Sequence, residues 1–365
     1  MLGTIIKNAR ILCYGYPKLR EDVLNIGNYS KLKVALVTDY LTSVNLSYEC
    51  RIKCLTTDNY KDILTNWKPE LIFIESAFHG FNWSWSYKIA NKGSLFAFNY
   101  LKDFVSLINL AKIKNIPTVF WNKDDGAFFE LFVEAASLCD YIYTADENCI
   151  HKYQDYVKNT NSSVKHIGLM QMAVQPQIHN FSGFHFSKNR MSFVGSYYKK
   201  ILYKRRTFLD LIFNLCSQSD IGVDIYDRNS NRLSRKFEFC FPKDKNLNVY
   251  SKLDYEKTAD VYKSYNLNLN VNSITNSATM CSRRVLEILA CGGIMVTNGS
   301  NAINSNFKDY CYVIRSVDDA YDIIPKAINK VSYDAMEKAR EGSIFVINNH
   351  SWERRFEQMQ NDINF

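Results

Sequence analysis

The sequence has no CxxC pair, no apolar run long enough to cross a membrane and no extended Lys/Arg stripe. The first absence argues against a zinc site or a disulfide framework built from its 10 cysteines. Pairs such as Cys50 and Cys54 have neither a histidine nor a second cysteine pair to work with. Cys139, Cys216 and Cys291 fall inside apolar runs and read as small reduced core residues of a cytosolic protein. The second absence leaves no membrane span, and Met1 to Arg10 lacks the apolar core of an export signal, so the expected location is the cytoplasm. The third argues against nucleic acid as a partner. A formal charge of +8 instead favours anionic ligands or a weak peripheral contact with the inner face of an anionic membrane. The densest basic cluster is Lys199, Lys200, Lys204, Arg205 and Arg206. Two phosphate-binding fingerprints, GxxxxGK[ST] and GxGxxG, are missing as well.

What is present describes a globular α/β protein. Apolar residues make up 47% and charged residues 22%, and 365 residues suffice for two domains with separate cores. In the first half, apolar runs predict strands at 33–39, 51–55, 71–74, 117–121, 141–143 and 164–167. Helical spacing predicts helices at 60–67, 100–113, 128–138 and 148–157. Alternating strands and helices imply a parallel sheet wound by right-handed crossovers, with ligands beyond the carboxyl ends of the strands.

Three clusters fall at such ends: Glu75-Ser76-Ala77-Phe78-His79-Gly80 running into Trp83-Ser84-Trp85, then Asn122-Lys123-Asp124-Asp125-Gly126, then Thr144-Ala145-Asp146-Glu147. A carboxylate, an imidazole and two indoles after one buried strand suit the gripping and deprotonation of a hydroxyl. Glu75, His79 and Asp124 are therefore candidate catalytic groups. Asp124 and Asp146 equally fit helix caps, the preferred reading for Asp146.

The second half repeats the pattern after 175–187, which lacks periodicity and reads as a linker. Strands are expected at 191–194, 221–226, 267–272 and 311–314, helices at 255–265 and 318–328, and a mostly helical tail from 332. Gly195-Ser196-Tyr197 followed by a basic helix start has the composition of a phosphate cradle. Residues 282–298 read as a helix capped by the Ser282 hydroxyl, a stop at Gly292-Gly293 and a buried strand. Arg283 and Arg284 sit at the positive end of that helix, against its dipole, with Glu287 one turn on. Either an anion sits between them or they are two solvated surface arginines.

The run Arg283-Arg284-Val285-Leu286-Glu287-Ile288-Leu289-Ala290-Cys291-Gly292-Gly293 resembles the signature of the CgeB-like glycosyltransferases, related to glycosyltransferase group 1. Gly195-Ser196-Tyr197-Tyr198 with Arg206 is similar to the start of that family's second domain, and His350-Ser351-Trp352 with Arg355 to its closing segment. Glu75-Ser76-Ala77-Phe78-His79-Gly80 and the stretches 117–125 and 139–153 resemble an associated N-terminal domain. The resemblance implies an α/β, GT-B architecture of two doubly wound Rossmann-like domains facing a central cleft. Residues 1–182 would form the acceptor side and 188–345 the nucleotide-sugar side, with a helix in 346–365 packing back toward the first domain.

The implied activity is transfer of a sugar from a nucleotide-sugar to a hydroxyl of a glycan or lipid-linked glycan of the cell-surface polysaccharide type. Neither a metal nor a cofactor is implied, and no DxD motif occurs. Glu287 would hold the ribose. Arg283 or Arg284, with Gly195, Ser196, Tyr197 and Arg206, would meet the diphosphate, and Tyr226 or Asn272 would flank the base. His79, Glu75 or Asp124 would position or deprotonate the acceptor. The group-1 pattern has a further glutamate eight positions before Glu287, where this chain has Thr279. Two other readings stay open: a phospho-polyol or phospho-sugar transferase, and a non-catalytic carbohydrate-binding homologue.

Overall fold

The computed structural model describes residues 27–91, 100–160, 162–232, 234–363 and 365. The segment Met1 to Arg10, read above for an export signal, lies outside them. The chain forms two units. One runs up to Gln171 and takes in Trp352–Phe365, and the other is Met172–Ser351.

The first unit is built on β1 (Lys33–Val37), β2 (Arg51–Cys54), β3 (Leu71–Glu75), β4 (Thr118–Asn122), β5 (Tyr141–Thr144) and β6 (His166–Leu169). Their order in the sheet is β2-β1-β3-β4-β5-β6, and every pair is parallel. All five residues of β3 and of β4 are buried, as expected for inner strands of a parallel sheet covered on both faces. Strand order reverses between β1 and β3, which makes their carboxyl ends the switch point of this unit. The helix Trp352–Asp362 belongs here too. Trp352 meets Trp121 edge-on at 5.4 Å and Phe73 at 6.1 Å, and Arg355 Nε donates to the Gln171 carbonyl at 2.9 Å.

The second unit contains β7 (Lys188–Gly195), β8 (Val223–Asp227), β9 (Leu247–Tyr250), β10 (Tyr265–Leu269), β11 (Met295–Asn298) and β12 (Tyr312–Ile314). The order β12-β11-β10-β7-β8-β9 is again wholly parallel. Counted from β7, this is the dinucleotide-fold order 3-2-1-4-5-6, with its switch point between β7 and β10. Leu267, Leu269 and Val271 face the apolar core with Met191, Phe193 and the helix Tyr203–Gln218. Asn268 and Asn270, at the alternate positions, face the other way.

The helix Arg283–Ala290 ends as its glycines require. Gly292 has φ +68°, its N–H bonds the Leu289 carbonyl, and Gly293 N–H bonds the Ile288 carbonyl. This paired closure satisfies two carbonyls that the helix itself leaves open.

Two elements were not expected, and one expectation changes. The helix Tyr40–Ser47 buries Thr42, Ser43 and Asn45 along with Val44 and Leu46, so its buried face shows no apolar period to read. The edge strand β9 exposes Asn248, Val249 and Tyr250, so it lacks the run of buried residues that marks the inner strands. Residues 175–187 are no open linker: His179 is fully buried, and the Phe181, Phe184 and Phe186 rings pack on one another. Three aromatics can pack from an irregular segment without leaving a period to read.

Removing the Trp352 indole leaves a cavity beside Trp121 and Phe73. Trp352→Ala should cost the first unit about 3–5 kcal/mol, visible as an earlier urea transition. An unchanged midpoint would show that the helix does not support this sheet.

Candidate functional site

The site in the second unit begins with Asn268 of β10 and with Asn270 and Asn272, which follow its carboxyl end. Asn268 accepts from the Ser192 hydroxyl at 2.6 Å and donates to the Tyr262 carbonyl at 3.0 Å. Asn270 donates to Thr297 Oγ1 at 2.9 Å, and its own oxygen accepts from Arg284 at 3.2 Å. Asn272 Oδ1, just beyond the strand, accepts the Ser282 N–H at 2.8 Å. The N-terminus of the helix Arg283–Ala290 is thus tied to the carboxyl end of β10. Ser282 occupies the N-cap position, yet its hydroxyl makes no capping bond, contrary to the sequence expectation. Asn272 anchors that turn through its amide oxygen, which ties up an acceptor that the sequence reading had offered to a base.

Two guanidinium groups converge at this switch point. Arg284 Nε donates to the Val194 carbonyl at 2.6 Å, and the group lies 5.1 Å over the Phe193 ring. A Cβ on Gly195 would come within 2.8 Å of Arg284 and 2.7 Å of Phe193, so glycine is what lets the guanidinium approach the chain there. Arg205 donates to the Val271 carbonyl at 2.8 Å and to the Ser196 carbonyl at 3.2 Å, while its buried Nε has no hydrogen-bond partner. Burial, with the Arg284 charge added to it, pulls the Arg205 guanidinium below its usual range. Among the described residues neither arginine forms an ion pair; both spend their donors on carbonyls or an amide. Two partly desolvated cations without a carboxylate form a site for an anion.

The other expected donor residues are placed as follows. Arg206, one position on around the helix, turns to the Lys199 carbonyl and the Tyr203 ring; Arg205 takes the inward place. Consecutive helix positions face about 100° apart, and the sequence alone could not say which of the two faces inward. The Tyr197 hydroxyl donates to Asp210 at 2.6 Å, and Ser196 contributes its carbonyl to Arg205. Tyr226 stacks on Tyr250 at 5.3 Å, and its hydroxyl lies 2.9 Å from that of Tyr265, at the start of β10. Arg283 reaches back to Glu287, Nε to Oε1 at 3.6 Å. Glu287 is buried and accepts from the Tyr255 and Tyr262 hydroxyls at 3.0 and 3.3 Å. Thr279 sits in the loop before this helix, its backbone N–H on the Ser277 hydroxyl at 3.2 Å.

At the switch point of the first unit, Glu75 is fully buried and heavily engaged. Oε1 accepts the Asp39 N–H at 2.6 Å and lies 2.7 Å from the Lys123 ammonium, and Oε2 accepts the Thr42 hydroxyl at 2.6 Å. A carboxylate with three donors pins the ends of β1 and β3 together. Asp39, which the sequence reading passed over, is more open and accepts the Gly80 N–H at 2.9 Å. Its position at the end of β1 was the available signal. Asp124 accepts from the Ser76 hydroxyl at 2.8 Å. His79 packs on Trp83 with ring centres 4.2 Å apart, and its Nδ1 lies 3.2 Å from the Ser86 hydroxyl. Asp146 is the cap it was expected to be, accepting the Asn148 N–H at 3.0 Å. Among the described residues no group of three or more His, Cys, Asp or Glu side chains is placed to hold a metal ion.

This geometry can be set beside known proteins. Residues 190–361 match the family model described as glycosyl transferase-like. The UDP-forming α,α-trehalose-phosphate synthase of Burkholderia vietnamiensis is similar in fold, with a TM-score of 0.55 at 9% identity over 92% of this chain and all of that one. The fold is GT-B. Two further structures of this fold match at 9% identity. Anabaena HepE, in complex with UDP and glucose, has a TM-score of 0.53 over 91% of this chain and 92% of that one. The phage T4 protein BGT, in complex with its UDP-glucose substrate, has a TM-score of 0.52 over 92% and 99%. At such identity the likeness concerns the fold alone. No curated protein matches the sequence.

One buried acid beside the first switch point gives a pH signature. Asp125 Oδ1 accepts from Asn122 at 2.7 Å and from the Tyr153 hydroxyl at 3.3 Å, and burial pushes its carboxyl up to about 7. The unfolded chain loses this proton at about 3.9. Between those values the folded protein binds the proton and the unfolded chain does not, so stability falls as pH rises through the window and levels above it. Asp125→Asn keeps the accepting oxygen and removes the titration. Its melting temperature should fall less than that of the unaltered protein between about pH 4 and about pH 7; equal declines would contradict the assignment.

Proposed function

We propose that the protein is a glycosyltransferase that moves a sugar from a nucleoside-diphosphate sugar to a hydroxyl of a glycan or lipid-linked glycan, as a CgeB-like member of the GT-B enzymes. The observation that carries this reading is the convergence of Arg205 and Arg284 on the Gly195–Ser196 turn, at the switch point of the second unit. In the reaction, the bond from the anomeric carbon to the diphosphate oxygen breaks, and its electron pair leaves with the nucleoside diphosphate. The acceptor oxygen forms the new bond to that carbon and gives up its proton.

Arg205 and Arg284 meet the charge growing on the diphosphate. They are held by carbonyls and a ring before any substrate arrives, so little reorganisation is needed as that charge appears. The first-turn N–H groups of the helix Arg283–Ala290 add positive potential at the same strand ends. Glu287, oriented by Tyr255 and Tyr262, has lone pairs left to accept from the ribose hydroxyls.

On the acceptor side, Glu75 keeps a structural role, locked between Lys123, Thr42 and the Asp39 N–H. His79 and Asp124, with Asp39 added, are the groups we assign to the acceptor hydroxyl and its proton. Thr279 offers the donor sugar a neutral hydroxyl where the group-1 pattern has a carboxylate.

UDP binding measured by calorimetry tests the assignment. Arg284→Gln and Arg205→Gln each remove charge-assisted hydrogen bonds and should weaken UDP by roughly 10- to 100-fold, while Arg206→Gln should leave it within about twofold. If Arg206→Gln produces the larger loss, the phosphate site has been put on the wrong side of this helix. Turnover should release a nucleoside diphosphate; release of a monophosphate would identify phospho-transfer instead.

A further inference from the structure

The turn between β7 and the helix Tyr203–Gln218 exposes side chains that a water-facing turn does not need. Ile201 is 53% exposed and Tyr203 69%, and Phe237, on the short helix Arg235–Glu238, is 68% exposed. The two segments touch. Lys199 N–H donates to the Glu238 carbonyl at 2.9 Å, the Lys199 ammonium donates to the Lys236 carbonyl at 3.3 Å, and Tyr198 meets Phe239 edge-on at 5.4 Å. The three apolar side chains therefore belong to one region of surface.

Lys199, Lys200, Lys204 and Lys236 are exposed around them, and positions 199–209 contain no acidic residue. Leu202 holds the turn with φ 56° and ψ 50°, a left-handed conformation that leucine adopts only against steric resistance. The first turn of the following helix has no acidic residue to offset its own N–H groups.

We propose that this patch seats the protein on an anionic phospholipid surface. The lysines meet the lipid phosphates, and Ile201, Tyr203 and Phe237 enter the zone between headgroups and acyl chains. Neither set suffices alone, because stable attachment to a bilayer takes two signals, here an apolar insertion and a polybasic cluster. Isoleucine decides between lipid and other polyanions: it gains nothing from a solvated phosphate backbone and gains burial from an acyl boundary. The attachment lies on the surface only, since no helix among the described residues is long and apolar enough to cross a membrane. It is also separate from the anion site described above, whose Arg205 faces inward from the same helix.

The test is co-sedimentation of the full chain with vesicles of phosphatidylcholine, alone or mixed with phosphatidylglycerol. The protein should bind the mixed vesicles, release with added salt and ignore the neutral ones. Two triple variants, Ile201→Ser/Tyr203→Ser/Phe237→Ser and Lys199→Gln/Lys200→Gln/Lys204→Gln, should each cut binding by about tenfold or more. All six positions are exposed, so melting temperature and UDP affinity should stay unchanged in both variants, which keeps loss of attachment distinct from loss of the anion site. Absence of binding to the mixed vesicles at low salt would overturn the proposal, as would full binding by either variant. Binding to heparin without binding to vesicles would overturn it too, by assigning the patch to a soluble polyanion.

Discussion

The second unit depends on keeping the polar face of β10 satisfied. Asn268 and Asn270, with Asn272 just beyond, put amides where an inner parallel strand normally presents apolar side chains. An unpaired buried amide costs about 1–3 kcal/mol, so each must find partners. The partners found are what build the site. Asn268 ties β10 to β7 through Ser192, Asn270 receives Arg284, and Asn272 receives the backbone of Ser282. The asparagines thus set where the helix Arg283–Ala290 starts and where one of its arginines points. Gly195 supplies the room, and Arg205 arrives from the next helix over.

A similar device works in the first unit with charges in place of amides. Glu75, buried at the end of β3, draws in Lys123 from the end of β4 and the Asp39 backbone from the end of β1. That fixes the three strand ends from which Asp39, Ser76, His79 and Asp124 project. Each unit therefore gathers polar side chains at the reversal of strand order, held by a buried polar group that cannot be left unpaired.

Much of this was legible in the sequence. Inner strands of a parallel sheet are continuous apolar runs, so β1, β3, β4 and β11 stood out from their residues, as did the Asp146 cap. The run 267–272 was expected as a strand ending in polar residues, and β10 occupies Tyr265–Leu269. What stayed hidden shares one cause: it depends on the direction of a side chain. Arg205 and Arg206 are indistinguishable on paper, yet a rotation of one helix position sends the first inward and the second to the surface. Glu75 read as a candidate base because nothing in its spacing reveals that Lys123 and Thr42 occupy it. Ser282 looked like the cap, but the partner of its N–H, Asn272, lies across a loop. The helix Tyr40–Ser47, with its buried polar face, carries no hydrophobic period at all.

On the proposed reading the diphosphate of a nucleotide lies between Arg205 and Arg284 over Gly195. A crystal structure of the protein grown with UDP tests it most directly. β-Phosphate oxygens should lie within hydrogen-bond distance of both guanidinium groups, and ribose hydroxyls on Glu287. UDP bound at Arg206 and the Lys199–Lys200 turn, with the Arg205–Arg284 site unfilled, would contradict it.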